Sequence, residues 1–169
     1  MKKFFKKIIW FVLISFYFLQ IEKISAIVPY YYFPTKKNLQ EQSLYIGKNA
    51  YQLLYFGQYK ESLNLAKLAV KINEKDEKLW LILAEVQIAN KQYKNALNSL
   101  NKAEQINSNI SEIYFAKSNI FLKFSQQTKA KIALEKGLKF EPNNYKAIFQ
   151  LGNILLMEKN YLRAIKLFD

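Results

Sequence analysis

From Asn38 to the end of the chain, apolar residues recur three and four positions apart, and no stretch alternates with the period of two that a strand requires. The spacing predicts helices throughout. The first begins at Asn38, which with Glu41 three residues on reads as a capped helix start. Two segments of different character lie ahead of it. Ile8 to Leu19 is an apolar run broken by one Ser, preceded by Lys2, Lys3, Lys6 and Lys7 and followed by Gln20, Glu22 and Lys23. Residues 27–38 contain Pro29, Pro34 and four consecutive aromatics from Tyr30 to Phe33. Proline fixes φ and disfavours helix in the residue before it, so this stretch reads as an extended leader.

The basic cluster, the short apolar run and the small residue Ala26 have the layout of a signal peptide over residues 1–26. A helix of that run spans about 18 Å, against a hydrocarbon core of about 30 Å. Extending it to Phe4–Ile27 would bury Lys6, Lys7, Glu22 and Lys23, at roughly 2.5–3.5 kcal/mol each near the bilayer centre. The alternative is an uncleaved membrane anchor. Either reading places the bulk of the protein outside the cytoplasm, exported or membrane-tethered.

Self-comparison organises the remainder. Blocks starting at Ser43, Glu77, Ser111 and Tyr145 align without a gap, each 34 residues after the last. Position 4 holds Ile46, Trp80, Tyr114 and Ile148; position 8 holds Ala50, Ala84, Ser118 and Gly152. Position 20 holds Ser62, Ala96, Ala130 and Ala164, and position 27 holds Ala69, Ala103 and Gly137. Small residues at 8, 20 and 27 let paired helices approach, and large ones beside them fill the space. Pro142 at position 32 separates one helix from the next. This pattern resembles the tetratricopeptide repeat. Departures from it are Asn49 and Lys117 at position 7, Gln87 at 11, Ala66 at 24, and Glu74 and Ser108 at 32.

The resemblance implies an all-α, right-handed helix-turn-helix solenoid over residues 43–169, of about 3.7 repeats (43–76, 77–110, 111–144 and an incomplete 145–169). A repeat cut at position 25 lacks a capping helix, so the chain is expected to be a fragment of a longer array or a truncated gene product, with Ile165 and Phe168 under-buried. The family's interaction surface is the concave groove lined by positions 2, 5, 6, 9, 12 and 13 of each first helix. Its candidate partner-binding residues here are Tyr51, Leu81, Glu85, Phe115, Asn119, Phe149 and Asn153. Phe115 and Phe149 are expected to face the groove, not the inter-helix core, and Asn119 and Asn153 to hold a peptide backbone. The family's carboxylate clamp for chaperone tails would need cations and Asn where this chain has Gly47, Tyr51, Ile82, Glu112 and Ala116. One repeat later the same positions hold Leu81, Glu85, Ala116, Lys146 and Gln150. A chaperone carboxyl-terminal tail is therefore disfavoured, and an apolar partner segment fits better.

Composition narrows the chemistry. The chain has neither Cys nor His, which removes thiol nucleophiles, disulfides, Cys/His zinc sites and histidine acid–base catalysis. There is no Gly-rich phosphate loop, no HExxH and no nucleophile motif, so no enzyme activity, cofactor or metal is expected. Glu74, Asp76 and Glu77 form the densest acidic stretch and read as helix capping. The formal net charge is +13, yet every basic residue except Arg163 is Lys. Lys, Ile, Asn, Phe and Tyr have AT-rich codons, which accounts for part of that basicity. Lys60, Lys67, Lys71, Lys94, Lys102, Lys129, Lys131, Lys136 and Lys139 fall mainly on solvent-facing positions of the second helices. Without Arg to read bases and phosphates bidentately, nucleic acid is an unlikely partner.

The leading expectation is a non-enzymatic scaffold that holds a protein segment in its groove. The alternative is a basic surface module binding anionic lipid or another polyanion. With its signal segment and composition, the chain is similar to the tetratricopeptide proteins of cyanobacteria and plastids that assist photosystem assembly. That similarity implies the periplasm or the thylakoid lumen.

Overall fold

The computed structural model describes residues 36–168. The signal or anchor at 1–26, and the leader as far as Thr35, lie outside the described residues. What is described is helical, without a strand: α1 Lys36–Tyr55, α2 Tyr59–Ile72, α3 Glu77–Ala89, α4 Tyr93–Ile106, α5 Ser111–Lys123, α6 Gln127–Phe140, α7 Tyr145–Met157 and α8 Tyr161–Phe168. Helices α3, α5 and α7 begin at the block starts, and α2, α4, α6 and α8 begin at position 17 of each block. They pair as α1–α2, α3–α4, α5–α6 and α7–α8, and each second helix packs on the first helix of the next pair. This is the expected solenoid. Helix α1 starts two residues earlier than the Asn38 cap. Lys36 and Lys37 are good helix formers, and no Gly or Pro lies between them and Ala50 except Gly47 inside the helix.

The turn inside each repeat is one structure used four times. Gly57, Lys91, Ser125 and Lys159, all at position 15, adopt the left-handed conformation with φ of 74°, 60°, 56° and 58°. In each, the next residue's N–H reaches back over the helix end: Gln58 to Leu53, Gln92 to Gln87, Gln126 to Phe121 and Asn160 to Leu155, at 2.8–2.9 Å. These bonds satisfy carbonyls the helix leaves open. Only the first repeat has glycine at this position, so the other three hold a side chain where the backbone disfavours one.

Packing follows the small residues. Ala50, Ala84, Ser118, Ala96, Ala130 and Ala103 are fully buried, and the Ser62 hydroxyl donates to the Ala50 carbonyl at 2.7 Å, tying position 20 to position 8. Four of the six departures from the template are matched by a partner. Gln87, buried at position 11, accepts from Ser99 Oγ at 2.8 Å. Lys117, buried at position 7, donates to Glu104 of the preceding repeat, which also takes Lys136 at 2.6 Å. Where position 32 lacks proline, the next repeat's position 4 supplies a donor. Trp80 Nε1 donates to the Glu74 carbonyl at 2.8 Å, and the Tyr114 hydroxyl to the Ser108 carbonyl at 2.6 Å. Where Pro142 stiffens the turn, position 4 is Ile148, which has no donor.

Of the lysines expected in solvent, two are engaged instead. Lys131 pairs with Glu158 at 2.6 Å and Lys136 with Glu104, because these carboxylates project from adjacent repeats toward them. Arg163 pairs with Glu135 at 2.7 Å, so ion pairs bridge α4 to α6 and α6 to α8. In α8, Ile165 and Phe168 are each at least half exposed. The Phe168 ring nevertheless lies on Gly152, where a Cβ would come within 2.0 Å of it.

Candidate functional site

The first helices of the four repeats, α1, α3, α5 and α7, carry the expected groove positions. Position 12 is apolar throughout, as Leu54, Ile88, Leu122 and Leu156, and is half-buried in the first three repeats. Burial of that stripe is partial because each first helix has already spent one face on its own second helix. Exposed apolar bodies stand along it: Tyr51 at 50 % and Tyr55 on α1, and Phe149 at 61 % and Met157 on α7. Among the described residues, α1 and α7 are therefore richer in exposed rings and thioether than α3 and α5.

A polar line at position 9 runs Tyr51, Glu85, Asn119, Asn153. Asn119 is exposed, and its Oδ1 accepts from Gln150 Nε2 at 2.9 Å, which joins α5 to α7. Asn153 is half-buried and lines a recess of about 300 Å³ with Leu122, Gln150, Ile154 and Met157. Glu85 is half-buried; desolvation first, and the charge of Glu112 second, raise its carboxyl above the usual range. No ion pair among the described residues involves Glu85 or Glu112. A carboxylate pair thus sits in the middle of the groove of a strongly basic chain.

Leu81 and Phe115 behave differently from the other candidates. Leu81 is half-buried against the cluster of Ala84, Ala96 and Leu100. Phe115 corrects the expectation that it faces only the groove. Its ring packs on Gly137 of α6, where a Cβ would lie 2.4 Å from a ring carbon, and it joins the core of Ala130, Leu134 and Leu151. Glycine at position 27, in place of the alanine of the first two repeats, opens the room that draws the ring inward. Phe149, at the same position of the next repeat, is 61 % exposed. Sequence reasoning had not paired Glu112 with Glu85, although position 2 of one repeat lies beside position 9 of the repeat before. Nor had it seen Gln150 occupy Asn119.

Among the described residues no group of three or more acidic side chains could hold a metal ion, and no helix is long and apolar enough to cross a membrane. The positions of a carboxylate clamp present Glu85 and Glu112 where an acidic tail would need neutral or positive groups.

Comparison with known proteins agrees with this architecture. Two family models described as tetratricopeptide repeat match residues 111–144 and 133–166, the first coinciding with the third block. A model described as ChAPs (Chs5p-Arf1p-binding proteins) matches residues 6–117. No curated protein matches. Among solved structures, the first repeat domain of Spaghetti (RPAP3) bound to the HSP90 peptide SRMEEVD superimposes with a TM-score of 0.67 at 19 % identity, covering 71 % of this chain and 95 % of that one. MamA gives 0.67 at 17 % identity, covering 87 % and 80 %. The Yersinia enterocolitica secretion chaperone SycD, in complex with a peptide of the translocator YopD, gives 0.65 at 15 % identity, covering 70 % and 95 %. At such identities the likeness establishes the fold.

Proposed function

The chain belongs to the tetratricopeptide-repeat proteins and, by the extent of the match over residues 6–117, to the ChAPs family; on that premise we propose that it is a non-enzymatic scaffold holding a partner's apolar segment in the groove of its first helices. The fold is typical of protein–protein interaction scaffolds, and two of the similar structures hold peptides. The observation that carries the reading is the stripe of half-buried and exposed apolar side chains on successive first helices, with Glu85 and Glu112, which join no ion pair among the described residues, at its centre. Charge complementarity sets the partner's chemistry. The segment is apolar with a Lys or Arg near its middle, opposite in sign to a chaperone tail. Tyr51 and Phe149 are the anchors, Leu81 and Phe115 form the floor, and Asn119 and Asn153 engage the partner's backbone. In the same reading the segment at 1–26 delivers or tethers the repeats across a membrane. A role in assembling a membrane complex such as a photosystem draws on the resemblance of composition and architecture alone.

Synthetic amphipathic peptides of one apolar pattern, differing only in a central Arg or Glu, test this by fluorescence anisotropy. The Arg peptide should bind at least tenfold more tightly at pH 7, and Glu85→Gln should erase most of the difference. Tyr51→Ala with Phe149→Ala should cost about 2 kcal/mol or more of binding at unchanged helicity, since both side chains are exposed. Equal binding of the two peptides, or loss of binding on changing Lys60, Lys71 and Lys139 to Gln instead, would refute it.

A further inference from the structure

Adjacent second helices stand apart, since each packs on the first helix that follows it. Between α4 and α6, with α5 as the floor, this leaves a cleft of about 530 Å³, within the roughly 300–1,000 Å³ of small-ligand pockets. Its walls are Leu97, Tyr114, Phe121, Ile132 and Ala133. Four lysines line it, Lys94, Lys117, Lys129 and Lys136, against one carboxylate, Glu104. Lys117 and Lys136 are both engaged by Glu104, and Lys136 Nζ also lies 4.5 Å from the Tyr114 ring centroid. Among the described residues Lys94 and Lys129 take part in no ion pair, and Lys129 Nζ is held 5.9 Å from the centroid of the Phe121 ring, over the apolar wall.

Two comparisons inside the molecule separate this cleft from ordinary repeat packing. The equivalent cleft one repeat earlier has about the same volume, 540 Å³, but is lined by Gln87, Asn95, Asn98, Ser99, Asn101 and Gln105 among others. Trp80, Leu83, Lys67 and Lys102 line it too, but Gln87, Asn95 and Asn98 stand at the positions that Phe121, Lys129 and Ile132 hold in the first cleft. Position 22 of the repeat carries Asn64, Asn98 and Lys166 in the other three blocks but Ile132 here, with 58 % of its surface exposed. Nothing in the repeat's own packing uses that isoleucine. An apolar side chain facing water beside two uncompensated cations fits a ligand with an apolar body and a negative head.

We infer that this cleft binds a free single-chain carboxylate amphiphile, its head held by Lys94 and Lys129 and its chain laid along Leu97, Phe121 and Ile132. The volume suits one aliphatic chain and excludes a two-chain lipid, whose tails would remain in water. The site lies on the second helices, away from the peptide groove, and stands or falls separately from it.

Calorimetric titration of the full chain with dodecanoate, below its micellar concentration, is the test. Saturable binding of one equivalent is expected, with dodecylamine and dodecanol at least tenfold weaker. Lys94→Gln with Lys129→Gln, and separately Ile132→Asn, should each lower dodecanoate affinity at least tenfold. Lys67→Gln with Lys102→Gln, which removes the same charge from the neighbouring cleft, should leave it within twofold. All these side chains except Lys129's ring contact are free of structural partners, so circular dichroism should show the fold retained. Equal binding of the amine, equal loss in the Lys67 and Lys102 control, no saturable binding, or binding only to phosphatidylglycerol vesicles would each overturn the assignment.

Discussion

Glu104→Gln isolates how this chain accommodates a lysine at a position where the repeat template has a large residue. The Lys117 and Glu104 side chains are 11 % and 25 % exposed, and Lys136 closes the cluster from α6. Burial alone would push the Glu104 carboxyl upward. The hydrogen bonds and charges of Lys117 and Lys136 overcome it and bring the group down from 4.5 to about 2. Removing one partner of a fully buried pair costs about 3–5 kcal/mol because the other charge is stranded. Here Glu104 keeps some solvent and Lys136 is about half exposed, so Glu104→Gln should cost about 2–3 kcal/mol in urea melts at pH 7. A carboxylate with a lowered folded value adds stability above its unfolded value and loses it as pH falls through the folded one. The gap between wild type and variant should therefore be full above about pH 4.5 and close towards about pH 2. Lys117→Leu restores a large apolar residue and should be neutral or stabilising, and the double variant should recover most of the Glu104→Gln loss. A Glu104→Gln cost below about 0.5 kcal/mol, or an additive double variant, would show that the cluster is a solvated surface pair.

Ala130→Leu and Ala96→Leu, both fully buried between paired helices, should each cost roughly 1–3 kcal/mol in denaturant melts. Ser125→Gly should stabilise by about 0.5–1 kcal/mol because φ is 56° there, and Gly57→Ala should lose a similar amount although nothing lies within 4 Å of its Cβ. Ser108→Pro should add about 0.4–1 kcal/mol in the same assay. Asn107 before it, at φ −144° and ψ 107°, has the extended backbone that Glu141 shows before Pro142. Glu85→Gln should raise stability at pH 7 and lose that advantage towards pH 4.5. The folded Glu85 binds its proton more tightly than the unfolded one, so its charged form is the penalised one.

The order of helices, the positions where they begin and the small residues between them were legible in the residues alone, because helix boundaries and close approach are local properties and this chain states them once every 34 residues. Even the exchange between proline at position 32 and a donor at position 4 could be read by comparing the blocks. Tertiary structure decided what happens between repeats. Lys117 looks like an error in its own block until Glu104, on the second helix of the block before, is brought beside it. Phe115 and Phe149 occupy the same position of adjacent repeats, yet one enters the core and the other stays exposed. Gly137, on the helix opposite, leaves the space that the Phe115 ring fills. Likewise Glu85 meets Glu112, and Ile132 meets two lysines, only because stacking superimposes successive repeats. A periodic sequence specifies its repeat through short-range spacing, whereas the chemistry of its surfaces depends on which side chains the stacking sets against one another.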